Sequence, residues 1–214
     1  MKNIRLGLLA ATVMVSNLVS AQAVEQGRKF LYYERYKSAK ETFEKVLASN
    51  PNSIDAVYWL GQTLLNDPDL KDSVAAKALY LKALQTNGSA PLLLAGIGEI
   101  ELREGKTADA RQHFETAISL TKAKDVNILN AVGIANANPA VRAGDPAYAI
   151  EKLNLATQAK NFINTDTYLI LGDAYRKLVD GSNAVLSYQK ALTIDPKLAA
   201  AKYKIGKIDR KSVV

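Results

Sequence analysis

One spacing returns five times along this chain. A small residue is followed four later by a large apolar one, and three after that by a third apolar residue. The copies are Ala39–Phe43–Val46, Ala76–Tyr80–Ala83, Ala110–Phe114–Ala117, Ala149–Leu153–Ala156 and Ala184–Tyr188–Ala191. Residues three and four apart share one face of a helix, so each triplet is a single apolar stripe. A glycine precedes every stripe: Gly27, Gly61, Gly98, Gly133 and Gly172. Inside a helix a glycine costs about 1 kcal/mol relative to alanine. Its return at one register therefore predicts a close helix crossing. Each unit reads as helix, tight turn, helix, with Gly105 and Gly144 at turns and Pro51 and Pro196 just past a second helix.

This register resembles the tetratricopeptide repeat, a helical hairpin of about 34 residues. The resemblance runs from about residue 22 to the C-terminus. Its best copy is Thr165–Leu198, where Tyr168, Leu171, Gly172, Tyr175, Ala184, Tyr188, Ala191 and Pro196 stand at the signature positions. It implies an all-α fold, a right-handed superhelical solenoid of about five antiparallel hairpins plus a C-terminal helix. The repeats are expected at about 22–53, 54–90, 91–124, 126–163 and 165–198, with a partial one at 199–214. The glycine precedes the alanine by twelve residues in three units, by fifteen between Gly61 and Ala76, and by sixteen between Gly133 and Ala149. Both additions fall at the turn inside a unit, where they lengthen a loop and leave the register intact.

Residues 1–21 read as a signal peptide. Lys2 and Arg5 precede an apolar run from Leu6 to Val15, and Val19 and Ala21 stand where a signal peptidase reads. The run is shorter than the ~20 residues a membrane span needs. The mature chain is expected to be exported without a transmembrane segment, to the periplasm first, with a partner-mediated association with the outer membrane as an extension of that reading.

The formal net charge of +7 does not indicate nucleic acid. Two basic residues belong to the leader, and residues 22–196 carry 20 basic and 20 acidic side chains. The excess is confined to Lys197–Lys211, six basic residues against Asp209. A nucleic-acid binder spreads such charge as a stripe with aromatic residues between, so no nucleic-acid partner is expected.

Chemistry is sparse. The chain has no cysteine and one histidine, His113, which leaves no set of metal-binding imidazoles or thiolates. His113 is expected to be an exposed structural residue beside Phe114. The stretch Asp67–Asp72 lacks the glycine and glutamate of a calcium loop and reads as a polar turn in which Asp72 or Ser73 caps a helix. No phosphate-cradling glycine loop is found. No catalytic residue, cofactor or metal is assigned, and the chain is not expected to be an enzyme.

Function then falls to a surface. In the family that the register resembles, the first helices of successive units line a concave groove for a peptide or helix of a partner. Carried over by register, the groove set is Tyr58, Gln62 and Asn66, then Leu92, Ala95, Glu99 and Leu102. Asn127, Asn130 and Ile134 follow, then Asp166, Leu169, Asp173 and Arg176. The carboxylate clamp of the chaperone-binding subgroup is missing, because Tyr58, Ala95, Asn130 and Leu169 occupy the positions where its cations begin. The resemblance implies an exported scaffold that binds a protein or peptide and serves assembly of a cell-envelope complex. The alternative is the N-terminal repeat region of a longer envelope protein whose activity lies beyond residue 214. At the chain's end, residues 199–212 are expected to form a capping helix, with Tyr203, Ile205 and Ile208 inward and Lys204, Lys207 and Lys211 in water.

Overall fold

Short polar residues set where the helices begin. Ser53, Asp72, Asp125, Asp145, Asn164 and Asp180 each accept a hydrogen bond from a backbone N–H in the first turn that follows. Such caps satisfy amides that have no partner inside the helix and contribute roughly 0.5–2 kcal/mol each. In the computed structural model, which describes residues 19–159 and 162–212 with side chains to Ile208, the fold is an all-α helical repeat. The helices are α1 (19–32 as described), α2 (Tyr36–Ser49), α3 (Ile54–Asn66), α4 (Ser73–Asn87), α5 (Pro91–Arg103) and α6 (Thr107–Leu120). There follow α7 (Val126–Ala137), α8 (Pro146–Thr157), α9 (Thr165–Lys177), α10 (Gly181–Ile194) and α11 (Ala199–Ser212). Most of the expected leader, residues 1–18, lies outside the described residues.

The chain divides into two compact units, one through Leu93 and one from Leu94 onward. In the first, Val24 of α1 meets Ala39, Phe43 and Val46 of α2 and Ala56 and Leu60 of α3. Tyr80 of α4 is fully buried and donates its hydroxyl to the carbonyl of Tyr58 at 2.9 Å. In the second, Ala137, Ala149, Leu153, Ile170, Leu171 and Ala174 form one cluster across α7, α8 and α9. Leu169, Ala184, Tyr188, Ala191 and Ala201 form another across α9, α10 and α11. Each buried aromatic or leucine of this kind contributes roughly 1.5–3 kcal/mol.

The recurrent glycines lie where these large side chains press. A Cβ on Gly27 or Gly98 would stand 2.5 Å from the ring of Phe43 or Phe114, and one on Gly133 2.6 Å from Leu153. At Gly61 and Gly172 it would sit closer still to Tyr80 and Tyr188. The stripe and the glycine are thus two halves of one contact.

Three hairpins also close alike. Seven residues after the glycine, Glu34, Gly105 and Val179 have φ of 56°, 78° and 63°. The next amide in each reaches back to Phe30, Glu101 or Tyr175 at 2.8–2.9 Å, which ends the first helix with its last carbonyls satisfied. Glycine suits that conformation at Gly105; the β-branched Val179 does not.

The lengthened turns are built differently. Asp67 accepts from the amide of Asp69, and Asp72 caps α4 as the sequence indicates. Between α7 and α8, Val141 is fully buried and the ammonium of Lys177 donates to three carbonyls. These are Asn136 at 3.0 Å, Asn138 at 3.4 Å and Val141 at 2.9 Å.

The helix expected at 199–212 is present as α11, but its inward face differs from the expected one. Ala201 is fully buried, Ile205 and Ile208 pack on the cluster beside it, and Tyr203 is 64% exposed. Ala201, Ile205 and Ile208 recur at i, i+4 and i+7, while Tyr203 lies on the opposite side. Lys204 is not simply solvated: its ammonium meets both oxygens of Asp173, at 2.7 and 2.8 Å.

Candidate partner-binding surface

The first helices carry more neighbours than a repeat register reveals. Within the second unit α9 packs against α7, α8 and α10, so apolar and polar positions alike are enclosed. Burial takes much of the expected groove set out of solvent. In the first unit Tyr58, Gln62 and Leu92 are buried. The Tyr58 ring stacks on Tyr80 with centroids 6.2 Å apart and meets Trp59 edge-on at 5.0 Å. Asn66 is half-buried and turns its amide back to the Gln62 carbonyl at 2.9 Å.

In the second unit Ala95, Glu99, Leu102, Asn130 and Leu169 are buried as well. Glu99 is 1% exposed, and its carboxylate accepts from Arg103 one turn on, at 2.7 Å. A buried charge needs such a partner. Asn130 accepts the hydroxyl of Thr167 at 2.7 Å, a bond between successive first helices. Its carbonyl oxygen is used for cohesion, where the register offered it to a partner's backbone. Leu169 belongs to the core cluster with Tyr188 and Ala201.

Apart from Ile134, the set that keeps access to solvent is polar. Asn127 and Arg176 are exposed; Ile134, Asp166 and Asp173 are half-buried. Asp173 is a junction. It accepts from the Tyr188 hydroxyl at 2.8 Å, from Lys204, and from Arg176 at 3.4 Å. Burial, together with the Asp173 carboxylate, holds the Tyr188 hydroxyl well above its ordinary pKa, so it stays a donor.

Other polar groups serve structure. His113 is half-buried, with Nδ1 2.8 Å from the carboxylate of the buried Glu101. Arg111 lies 3.5 Å above the Tyr148 ring and bonds Asp145 at 2.8 Å. Burial raises the Asp145 pKa, but the Tyr148 amide and the Arg111 guanidinium outweigh it and hold the carboxyl below its usual range. Burial and the Glu115 carboxylate push the Tyr148 hydroxyl up. Among the described residues no cluster of three or more His, Cys, Asp or Glu could hold a metal, and no helix is long and apolar enough to cross a membrane.

Sequence register found the glycine–aromatic contacts but missed Thr167, Lys177, Lys204 and Ala201. For Ala201 the i, i+4, i+7 spacing with Ile205 and Ile208 was an available signal. The other three join partners more than 30 positions away in sequence, which no local pattern encodes.

Profiles of the tetratricopeptide repeat match residues 24–91 and 165–198, the latter the same residues that the sequence register marks as the best copy. No curated protein sequence matches the chain. Among solved structures, a thermophilic tetratricopeptide repeat protein of Thermus thermophilus is similar at TM-score 0.64 and 18% identity. The match covers 88% of this chain and 98% of that one. A tetratricopeptide repeat protein of Parabacteroides merdae is similar at TM-score 0.60 and 16% identity, covering 95% and 79%. At such identities the likeness is one of fold.

Proposed function

Because this chain is a tetratricopeptide repeat protein, we propose that it is an exported scaffold of the cell envelope that holds a protein or peptide partner. Proteins of this fold are in general non-catalytic, and stacked repeats offer extended binding surfaces. The observation that carries the reading is the polar set on the first helices of the second unit that keeps access to solvent: exposed Asn127 and Arg176, with half-buried Asp166. Mixed amide, carboxylate and guanidinium groups there pair with the backbone and side chains of an extended or helical peptide. Export rests on the basic start, the short apolar run and the small residues at Val19 and Ala21.

Two measurements test the two halves separately. Mass spectrometry of the mature N-terminus in fractionated cells should find the chain in the periplasm, cut after Ala21. An uncut chain in the cytosol refutes export. A photo-crosslinking residue at position 127 or 176 should give a discrete protein adduct in vivo, whereas one at exposed Gln189 on α10 should not. Equal labelling from both faces removes the surface from the proposal.

A further inference from the structure

α11 repeats the register of a first helix without a second helix to meet it among the described residues. Each position in it stands 34 after its counterpart in α9. Gly206 matches Gly172, Lys202 matches Tyr168, and Lys207 matches Asp173. In the five hairpins the glycine receives the ring or leucine of a neighbouring helix at close range. At Gly206 a Cβ would meet nothing within 4 Å. The notch that takes a side chain elsewhere is open here.

The surroundings of the notch form one coherent face. With Ala201, Ile205 and Ile208 turned inward, helical geometry places Lys202, Tyr203, Gly206 and Lys207 together on the outside. Lys202, Tyr203 and Lys207 are exposed, and the Lys207 ammonium lies 4.8 Å from the Tyr203 ring centroid. Residues 197–208 include four lysines and no acid. Lys204 is neutralised by Asp173; among the described residues no carboxylate pairs with Lys202 or Lys207.

We infer that this outer face of α11 docks an acidic amphipathic helix of a partner protein, which lays one aromatic side chain on Gly206 and a carboxylate against Lys202. The α9–α10 hairpin supplies the template. There Tyr188 fills the space over Gly172, and Lys190, two residues later, lies 5.8 Å from the ring of Tyr168. Lys202 stands at the register of Tyr168, so a docked helix needs an acid where α10 has Lys190. Lys207 stands where Asp173 does, at the hydroxyl of the inserted ring. The charge of the face sets the sign of the partner, and the glycine sets the aromatic anchor.

The test uses the whole protein and a labelled, side-chain-stapled helical peptide with the sequence of residues 181–196 and Lys190→Glu, read by fluorescence anisotropy. Binding should weaken about tenfold or more with Tyr188→Ala in the peptide, as for an aromatic anchor. It should weaken about two- to fivefold when the peptide keeps Lys190, as for an exposed charge pair. In the protein, Gly206→Leu should abolish binding while thermal unfolding is unchanged or slightly raised, because the added side chain enters open space. Lys202→Glu should reverse the peptide's charge preference without touching the notch. No binding overturns the inference, as does binding indifferent to Gly206→Leu or to the peptide's tyrosine. A protein that ignores the peptide but binds vesicles of anionic phospholipid through these lysines overturns it in favour of a membrane surface.

Discussion

Gly172→Ala is the sharpest probe of the repeat contact. The new methyl would overlap the Tyr188 ring, and the ring has little room to yield. Its hydroxyl is held 2.8 Å from Asp173, which Lys204 fixes in turn, and its body is fully buried. Overpacking of this kind costs about 1–3 kcal/mol, and a strained hydrogen bond to a charged group forfeits part of roughly 1.5–3 kcal/mol. Replacing glycine by alanine inside a helix returns about 1 kcal/mol. The net expectation is a loss of about 1–4 kcal/mol. Urea unfolding of the wild type, Gly172→Ala, Tyr188→Ala and the double variant forms a cycle that isolates the contact. Once Tyr188 is truncated the methyl has space, so the alanine at 172 should cost nothing or stabilise slightly. Gly206→Ala serves as the control. With open space around it, it should be neutral or stabilising by up to about 1 kcal/mol. A loss below about 0.5 kcal/mol for Gly172→Ala, or equal losses in both Tyr188 backgrounds, refutes the close-contact account.

Three further outcomes follow from particular groups. Lys177→Met removes the ammonium that joins three carbonyls of the 136–141 segment, and should cost about 2–4 kcal/mol in urea unfolding. Amide exchange should rise in the loop at 138–145 before it rises in α9. Val179→Gly relieves a β-branched residue at φ 63° that is 90% exposed, and should raise stability by about 0.5–1.5 kcal/mol after the entropy of the new glycine is counted; a lower melting temperature would show that the valine makes a needed contact. Asp145 has a depressed pKa in the fold, so its contribution is present above the unfolded carboxylate value and is lost as pH falls through the folded one. Against Asp145→Asn, which keeps a capping oxygen, wild type should be the more stable at pH 6 by under about 1 kcal/mol, given the exposure of the pair. The gap should close below pH 4; a gap that widens in acid would give the wrong sign.

The repeat can be read from residue spacing. Its periods of three and four, its five glycines and its polar caps each act within one hairpin, over distances that helical geometry fixes. That is why the helices, the glycine contacts, a cap at Asp72 or Ser73 and the terminal helix were legible from the sequence. Helix packing sets which of the register's surface positions remain surface. Asn130, Glu99, Gln62 and Leu169 stand where a groove was expected and are buried; for Leu169 the cause is visible, since α9 packs against α7 and α8 of the preceding repeat as well as its own α10. Only the folded chain brings Thr167 to Asn130, Lys177 to the inserted loop and Lys204 to Asp173. Local periodicity records which face of a helix is apolar. It does not record how many helices close around it, and that number separates a binding face from a core.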